Sequence, residues 1–162
     1  MEHRVAELVA FYRRVQTERM QGIPILHPAL SVEAVGFRAA DVDEERAEAV
    51  AEGVLITPWF MSLVRLPLAV QDHGGRVGRK RVLAFGIERF DFIGAHDPAV
   101  GFHEACALFS PMADFRDQDQ ARETAQAVLD QLRPPPPPPA PMAEPMPARR
   151  AFFLARGVGA PS

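Results

Sequence analysis

Val54-Leu55-Ile56-Thr57-Pro58-Trp59-Phe60-Met61-Ser62-Leu63-Val64-Arg65-Leu66-Pro67-Leu68 is too apolar for a surface loop. It holds the chain's only Trp, and Pro58 and Pro67 interrupt it. A bilayer span needs roughly 20 continuous apolar residues, and this run is too short and too broken to supply them. It therefore lies across a core or lines a groove for an apolar partner. Its opening, Gly53 to Thr57, reads as a buried strand because three large or branched apolar residues stand in a row. Thr57-Pro58 then caps and starts a short helical turn through Trp59 and Phe60.

Upstream, residues 4–20 predict a helix. Val5, Leu8, Val9, Tyr12 and Val15 recur at spacings of three and four, and Gly22 and Pro24 stop the run. Ile23 to Leu30 contains two prolines and reads as extended and irregular. Ser31 to Phe37 is a strand candidate. Arg38 to Gly53 is acidic and Ala-rich, either a short helix or a loose insertion, and its carboxylates from Asp41 to Glu52 read as a solvated face or a seat for a cationic partner. Downstream, Gln71 to Arg81 is a polar turn. Val82 to Ile93 supplies one or two strands, with Phe90 and Phe92 alternating against Arg89 and Asp91. Phe102 to Phe109 is a further strand. Asp117 to Leu132 is the clearest helix: Asp117 and Gln120 form a capping-box variant, and Ala121, Thr124, Ala125, Val128, Leu129 and Leu132 form its stripe. Helix, strands and helix in that order predict an α+β fold, a mostly antiparallel β-sheet flanked by N-terminal and C-terminal helices.

Residues 1–133 form that domain. Residues 134–147 are a proline-rich linker opening with six consecutive prolines, and they favour polyproline II. Such an arm reads as disordered but semi-rigid, on the order of 40 Å if fully extended. Residues 148–162 are a flexible tail carrying a twin-arginine-like motif. The chain's 162 residues suit one domain with a core and some tail to spare. A formal net charge of −3 gives no electrostatic case for nucleic acid. The single Cys106 excludes an internal disulfide framework and a Cys-rich zinc site. No signal-peptide pattern opens the sequence, which places the protein in the cytoplasm.

Little of the remaining chemistry points to an enzyme. Gly74-Gly75-Arg76-Val77-Gly78-Arg79-Lys80 resembles a phosphate loop but lacks a Ser or Thr after Lys80 and misplaces its first glycine, so a hairpin turn is the better reading. His103 and Cys106 suggest a Cys–His pair. On a strand, however, positions three apart face opposite sides, and a buried thiol packs as a small hydrophobe. His27, His73 and His96 have no companions at ligand spacing. Neither a Gly-x-Ser-x-Gly elbow nor a His-Glu-x-x-His motif is present. No catalytic residue, metal site or cofactor is expected.

Four blocks in order carry a resemblance: Pro24-Ile25-Leu26-His27-Pro28-Ala29-Leu30, Val54 to Leu63 with its Thr57-Pro58-Trp59-Phe60 centre, Cys106-Ala107-Leu108-Phe109-Ser110-Pro111-Met112, and Arg149-Arg150-Ala151-Phe152-Phe153-Leu154. Together they make the sequence similar to the HybE/HupJ family of [NiFe]-hydrogenase assembly chaperones over nearly its whole length. The acidic segment from Arg38 to Glu52 and the proline arm are longer than the family pattern. The resemblance implies a bacterial, cytoplasmic, non-enzymatic maturation factor for an uptake hydrogenase. Its implied partner is the hydrogenase small subunit precursor, bound through its twin-arginine signal region until maturation is complete. The large subunit and a rubredoxin-like accessory protein are further implied partners.

Such a signal has a cationic start and an apolar middle, so a binder needs an apolar groove with acids at one end. Trp59, Phe60, Met61, Leu63 and Leu66 are the expected groove, Met61 adapting to varied side chains. Glu88, Asp91 and Asp114 are the expected receivers of the arginines. Trp59 and Phe60 equally fit a core role. Arg149, Arg150, Phe152, Phe153 and Leu154 are expected to imitate the client as a tethered self-ligand, the alternative being a plain tail. Two rival readings stay open: a docking module for a folded small or large subunit that ignores the signal, and an enzyme or metallocarrier built on Cys106 and His103.

Overall fold

The computed structural model describes residues 1–40, 49–69 and 74–135. Helix α1 (Glu2–Glu18) precedes strands β1 (Glu33–Ala39), β2 (Val50–Ile56), β3 (Met61–Pro67), β4 (Lys80–Phe85), β5 (Glu88–Asp97) and β6 (Gly101–Phe109), and helix α2 (Gln118–Leu132) follows. The strands form one sheet in the order β1-β2-β3-β6-β5-β4, with every pairing between them antiparallel. The α+β architecture with terminal helices against an antiparallel sheet is thus as expected. The arm and tail from residue 136 onward, and Asp41 to Glu48, lie outside the described residues.

The two helices cover opposite faces. Leu8 and Phe11 of α1 pack with Val32, Leu55, Val64, Leu66 and Val100. Ala121, Ala125, Leu129 and Leu132 of α2 pack with Val35, Val54, Ile56, Met61, Leu63, Phe85 and Phe92. Strand residues alternate between these clusters because successive side chains point to opposite faces. A side chain such as Leu8 or Leu129, withdrawn from water here, contributes about 1.5–3 kcal/mol.

Every residue of β2 and β3 is buried. Of the two roles open to the Val54 to Leu68 run, core or groove, Met61–Pro67 takes the first, as a central strand. Two-sided burial removes the apolar–polar alternation by which a strand is recognised. It also corrects the placement of Glu52 on a solvated face. Glu52 is buried, directly opposite Arg65, and accepts from Arg65 Nη1 at 3.0 Å. Arg65 in turn stands opposite Glu104, which accepts from Arg81 Nε at 2.8 Å and from Arg81 Nη2 at 2.6 Å. A row of alternating charge therefore crosses the sheet beneath α2. Removing one member would strand a buried charge, at a cost of roughly 3–5 kcal/mol.

The far end of α2 fastens the periphery. The β1–β2 register slips between Val35 and Arg38, and Arg133 donates to the carbonyls of Gly36 and Glu52 at 2.7 Å each. The tip of the β4–β5 hairpin docks there too, Ile87 N–H donating to Leu132 O at 2.9 Å. Gly86 takes φ +62, and a Cβ on it would run into the Leu132 carbonyl. Gly78 takes φ +75 but has open space around it. Gly86→Ala is therefore expected to lose about 1–3 kcal/mol more stability than Gly78→Ala, since only the former adds a backbone clash to the left-handed strain. Urea unfolding of the two variants checks this, and equal midpoints would refute the docking role of the tip.

Candidate functional site

Thr57 builds the turn between β2 and β3. Its Oγ1 accepts from Phe60 N at 2.9 Å and Trp59 N at 3.2 Å, and its own N–H donates to Phe60 O at 2.8 Å. The turn is closed on itself, so Pro58 O is left pointing outward. His27 N–H takes that carbonyl at 2.9 Å. The His27 ring reaches the other way: Nε2 meets Phe115 O at 2.6 Å, and Nδ1 meets Ala29 N at 3.1 Å. A carbonyl only accepts and a backbone N–H only donates, so the bonds assign the proton to Nε2 and the lone pair to Nδ1. One neutral histidine thus fastens the 24–30 loop to both the 57–60 turn and the 110–116 loop.

Between these loops lies an open pocket of about 330 Å³ lined by Pro24, Ile25, Leu26, His27, Pro28, Pro111 and Ala113. Its walls are anchored from behind. Leu30, Met112 and Phe115 enter the α2-side core, and Phe115 meets Phe109 edge-on at 5.2 Å. At the foot of the site, Gln118 pairs with both backbone groups of Ser31, and Arg122 grips Glu33 at 2.8 Å, holding the Glu33 carboxyl below the usual range. The rim remains greasy: Ile25 is 49% exposed and Phe109 40%. Asp117 caps α2 by accepting from Gln120 N at 2.9 Å, as the capping-box pattern predicts.

The residues expected to form the groove do not stay together. Met61, Leu63 and Leu66 are fully buried, the first two in the α2-side core and Leu66 in the α1-side core. Met61 and Leu63 share the core of Leu30, Met112 and Phe115 behind the site, Leu66 lies at the far end of β3 on the other face, and none of the three is open to an outside ligand. Trp59 and Phe60 are half-buried in the turn, with ring centroids 5.5 Å apart. Phe60 meets Tyr12 of α1 edge-on at 5.7 Å, which makes it partly core, while Trp59 follows Pro58, whose carbonyl joins the turn to His27 of the 24–30 loop. Of the three expected carboxylates, only Asp114 adjoins a pocket-lining residue. Glu88 flanks the hairpin tip, and Asp91 lies opposite Val82 on the same hairpin, both exposed. Arg149, Arg150, Phe152, Phe153 and Leu154 are outside the described residues. The lining residues Ile25, Pro111 and Ala113 received no role from the sequence. Their signal was an apolar residue flanked by prolines at strand ends, which says nothing about sharing one end until the topology is known.

His103 and Cys106 do not form a pair. They lie on β6, and their side chains point to opposite faces. His103 is buried against α1, with Nδ1 meeting Gly101 O at 3.3 Å and Nε2 meeting the Tyr12 hydroxyl at 3.1 Å. Nδ1–H therefore donates and Nε2 accepts. Burial holds the imidazole below its ordinary value and pushes the Tyr12 phenol up to about 12. The Cys106 thiol is also pushed up, by burial first and then by the Asp91 charge, which is the reverse of nucleophile activation. Among the described residues no group of three His, Cys, Asp or Glu side chains is placed to hold a metal ion, and no helix is long and apolar enough to cross a membrane.

A family described as "[NiFe]-hydrogenase assembly, chaperone, HybE" matches residues 3–155. Protein HoxT of Cupriavidus necator is 39% identical over 165 aligned positions, covering 94% of this chain and 89% of its own. The hydrogenase expression/formation protein HupJ of Bradyrhizobium diazoefficiens is 40% identical, covering 79% of this chain and 70% of its own. The probable rubredoxin HupJ of Rhodobacter capsulatus is 38% identical across 82% of this chain, which spans 45% of that protein's length. The solution structure of HybE from Escherichia coli shares the fold, with a TM-score of 0.54 at 19% identity, over 95% of this chain and 90% of that one.

Because folded His103 resists protonation, the unfolded chain binds its proton first, near the ordinary value of 6.5. Unfolding then takes up a proton, and stability falls as pH drops below that value. The wild-type melting temperature is expected to fall between pH 7 and pH 5.5 more steeply than that of His103→Gln, as thermal unfolding across that range would show.

Proposed function

Since the chain belongs to the HybE family of [NiFe]-hydrogenase assembly chaperones, we propose that it holds a hydrogenase small subunit precursor by the precursor's twin-arginine signal region, at the sheet end where the 24–30, 57–60 and 110–116 loops meet. The supporting observation is that convergence: three blocks far apart in sequence are fastened together by His27 around one apolar pocket. Ile25, Phe109 and Trp59 supply the greasy surface, and Asp114 supplies a carboxylate beside it. Met61 and Leu63 contribute as rigid backing through the core they share with Leu30, Met112 and Phe115. A cation-then-apolar segment fits this order of acid and grease, and charge-assisted hydrogen bonds to Asp114 would orient it.

On this reading the protein acts in the cytoplasm, by occupancy and without a catalytic step. Holding the signal delays export until the subunit is mature. The large subunit and a rubredoxin-like accessory protein are proposed as neighbours in that assembly, not as ligands of the pocket.

Ile25→Asp alters an exposed side chain, so folding is expected to survive it within about 0.5 kcal/mol. Binding of a fluorescent signal peptide from the small subunit should weaken by at least roughly tenfold, the loss of about 1.4 kcal/mol. A folded variant with wild-type affinity would remove the pocket from the mechanism.

A second reading has its own observation. Val82 is 55% exposed, Ile93 49% and Ile87 68%, all on the β4–β5 hairpin and away from the loop cluster. That strip favours a docking face for a folded subunit irrespective of its signal. Retention of a signal-less small subunit at full strength in a pull-down, and its loss in Val82→Asp, is the outcome expected of this alternative.

A further inference from the structure

Resting on the pocket assigned above, we propose that the site's resting occupant is the chain's own C-terminal segment Arg149-Arg150-Ala151-Phe152-Phe153-Leu154, which the client must displace. The segment has the same order of chemistry as the client: two cations, one small residue, then three apolar side chains.

Reach permits it. The arm departs from Leu132 and Arg133 at the end of α2, while the pocket lies beside the start of the same helix, where Phe115 and Gln118 join the 24–33 segment. Fifteen helical residues span about 22 Å at about 1.5 Å each. The intervening residues 134–148 extend to roughly 45 Å at about 3.1 Å each, enough to return along the helix and turn.

Charge selects this surface over the other apolar one. Asp114 is exposed beside the lining residue Ala113 and makes no hydrogen bond or ion pair among the described residues. Asp117 is committed to capping α2 and Asp119 to Arg122, which leaves Asp114 as the free acid of that loop. The strip formed by Val82 and Ile93 instead shares its face with Lys80 and Arg89 against the single Asp91, a net positive set that disfavours a pair of arginines. The rim residues Ile25 and Phe109 offer the phenylalanines an apolar seat.

A tether of this length gives an effective concentration of roughly a millimolar, so even a weak segment keeps the pocket covered. The arm then sets the threshold a client must exceed.

The test uses the full chain and two readouts that need no client: acrylamide quenching of Trp59, the only indole, and amide hydrogen exchange across residues 23–30. Arg149→Glu with Arg150→Glu, and separately Phe152→Ala with Phe153→Ala, should raise quenching and speed exchange. Asp114→Arg should do the same, and adding Arg149→Glu and Arg150→Glu to it should restore protection. Signal-peptide affinity should rise about three- to tenfold in the tail variants. Wild-type quenching and exchange in both tail variants would overturn the proposal, as would failure of the charge swap to restore protection. Tail-dependent protection without signal-peptide binding by any variant would leave the self-contact standing and remove the client assignment instead.

Discussion

Burial of β2 and β3 on both faces is the constraint from which the rest follows. With α1 on one side and α2 on the other, the centre of the sheet has no surface left to present. The proposed recognition is therefore assigned to the ends of the strands. One end gathers the approach to β1, the β2–β3 turn and the exit of β6, all carrying prolines that cannot continue a ladder. Their carbonyls are available for His27 to collect.

The same constraint explains why the central strands tolerate charge. Glu52, Arg65 and Glu104 lie in a layer that water does not reach, and they persist because antiparallel register sets opposite signs side by side. A one-residue slip would flip these side chains to the other face and leave each without its counter-ion. The row thus opposes slippage more sharply than the surrounding aliphatic residues, which pack nearly as well in several registers.

The helices and the outer strands were legible in the sequence because each buries one side only. Leu8, or Leu129 and Leu132, stand out against polar neighbours, and Phe90 and Phe92 alternate with charge, whereas the buried Phe11 fell outside the stripe read for α1. Strand β3 was not legible, because Met61, Ser62, Leu63, Val64 and Leu66 are all inside and no period remains. Apolar density without a period left core and groove equally open for this run, and burial of Met61, Leu63 and Leu66 places those three in the core. Asp114 was picked out as an acid, but its neighbours Pro111 and Ala113 and the partner loop at Ile25 were not joined to it. Their meeting depends on the His27 contact with Phe115, 88 residues away. The family blocks had already bracketed these segments, and the fold supplied the reason they travel together.

Arg133 stands immediately before the six prolines, and it grips two strand carbonyls at once. A force applied through the arm would not unwind α2 from its free end. It would load the backbones of the edge strand β1 and the buried strand β2 through the guanidinium, carrying the strain from the rim into the embedded centre of the sheet. The C-terminal extension is thus moored to the keel of the protein, and whatever tugs on it meets the mechanical resistance of the whole sheet.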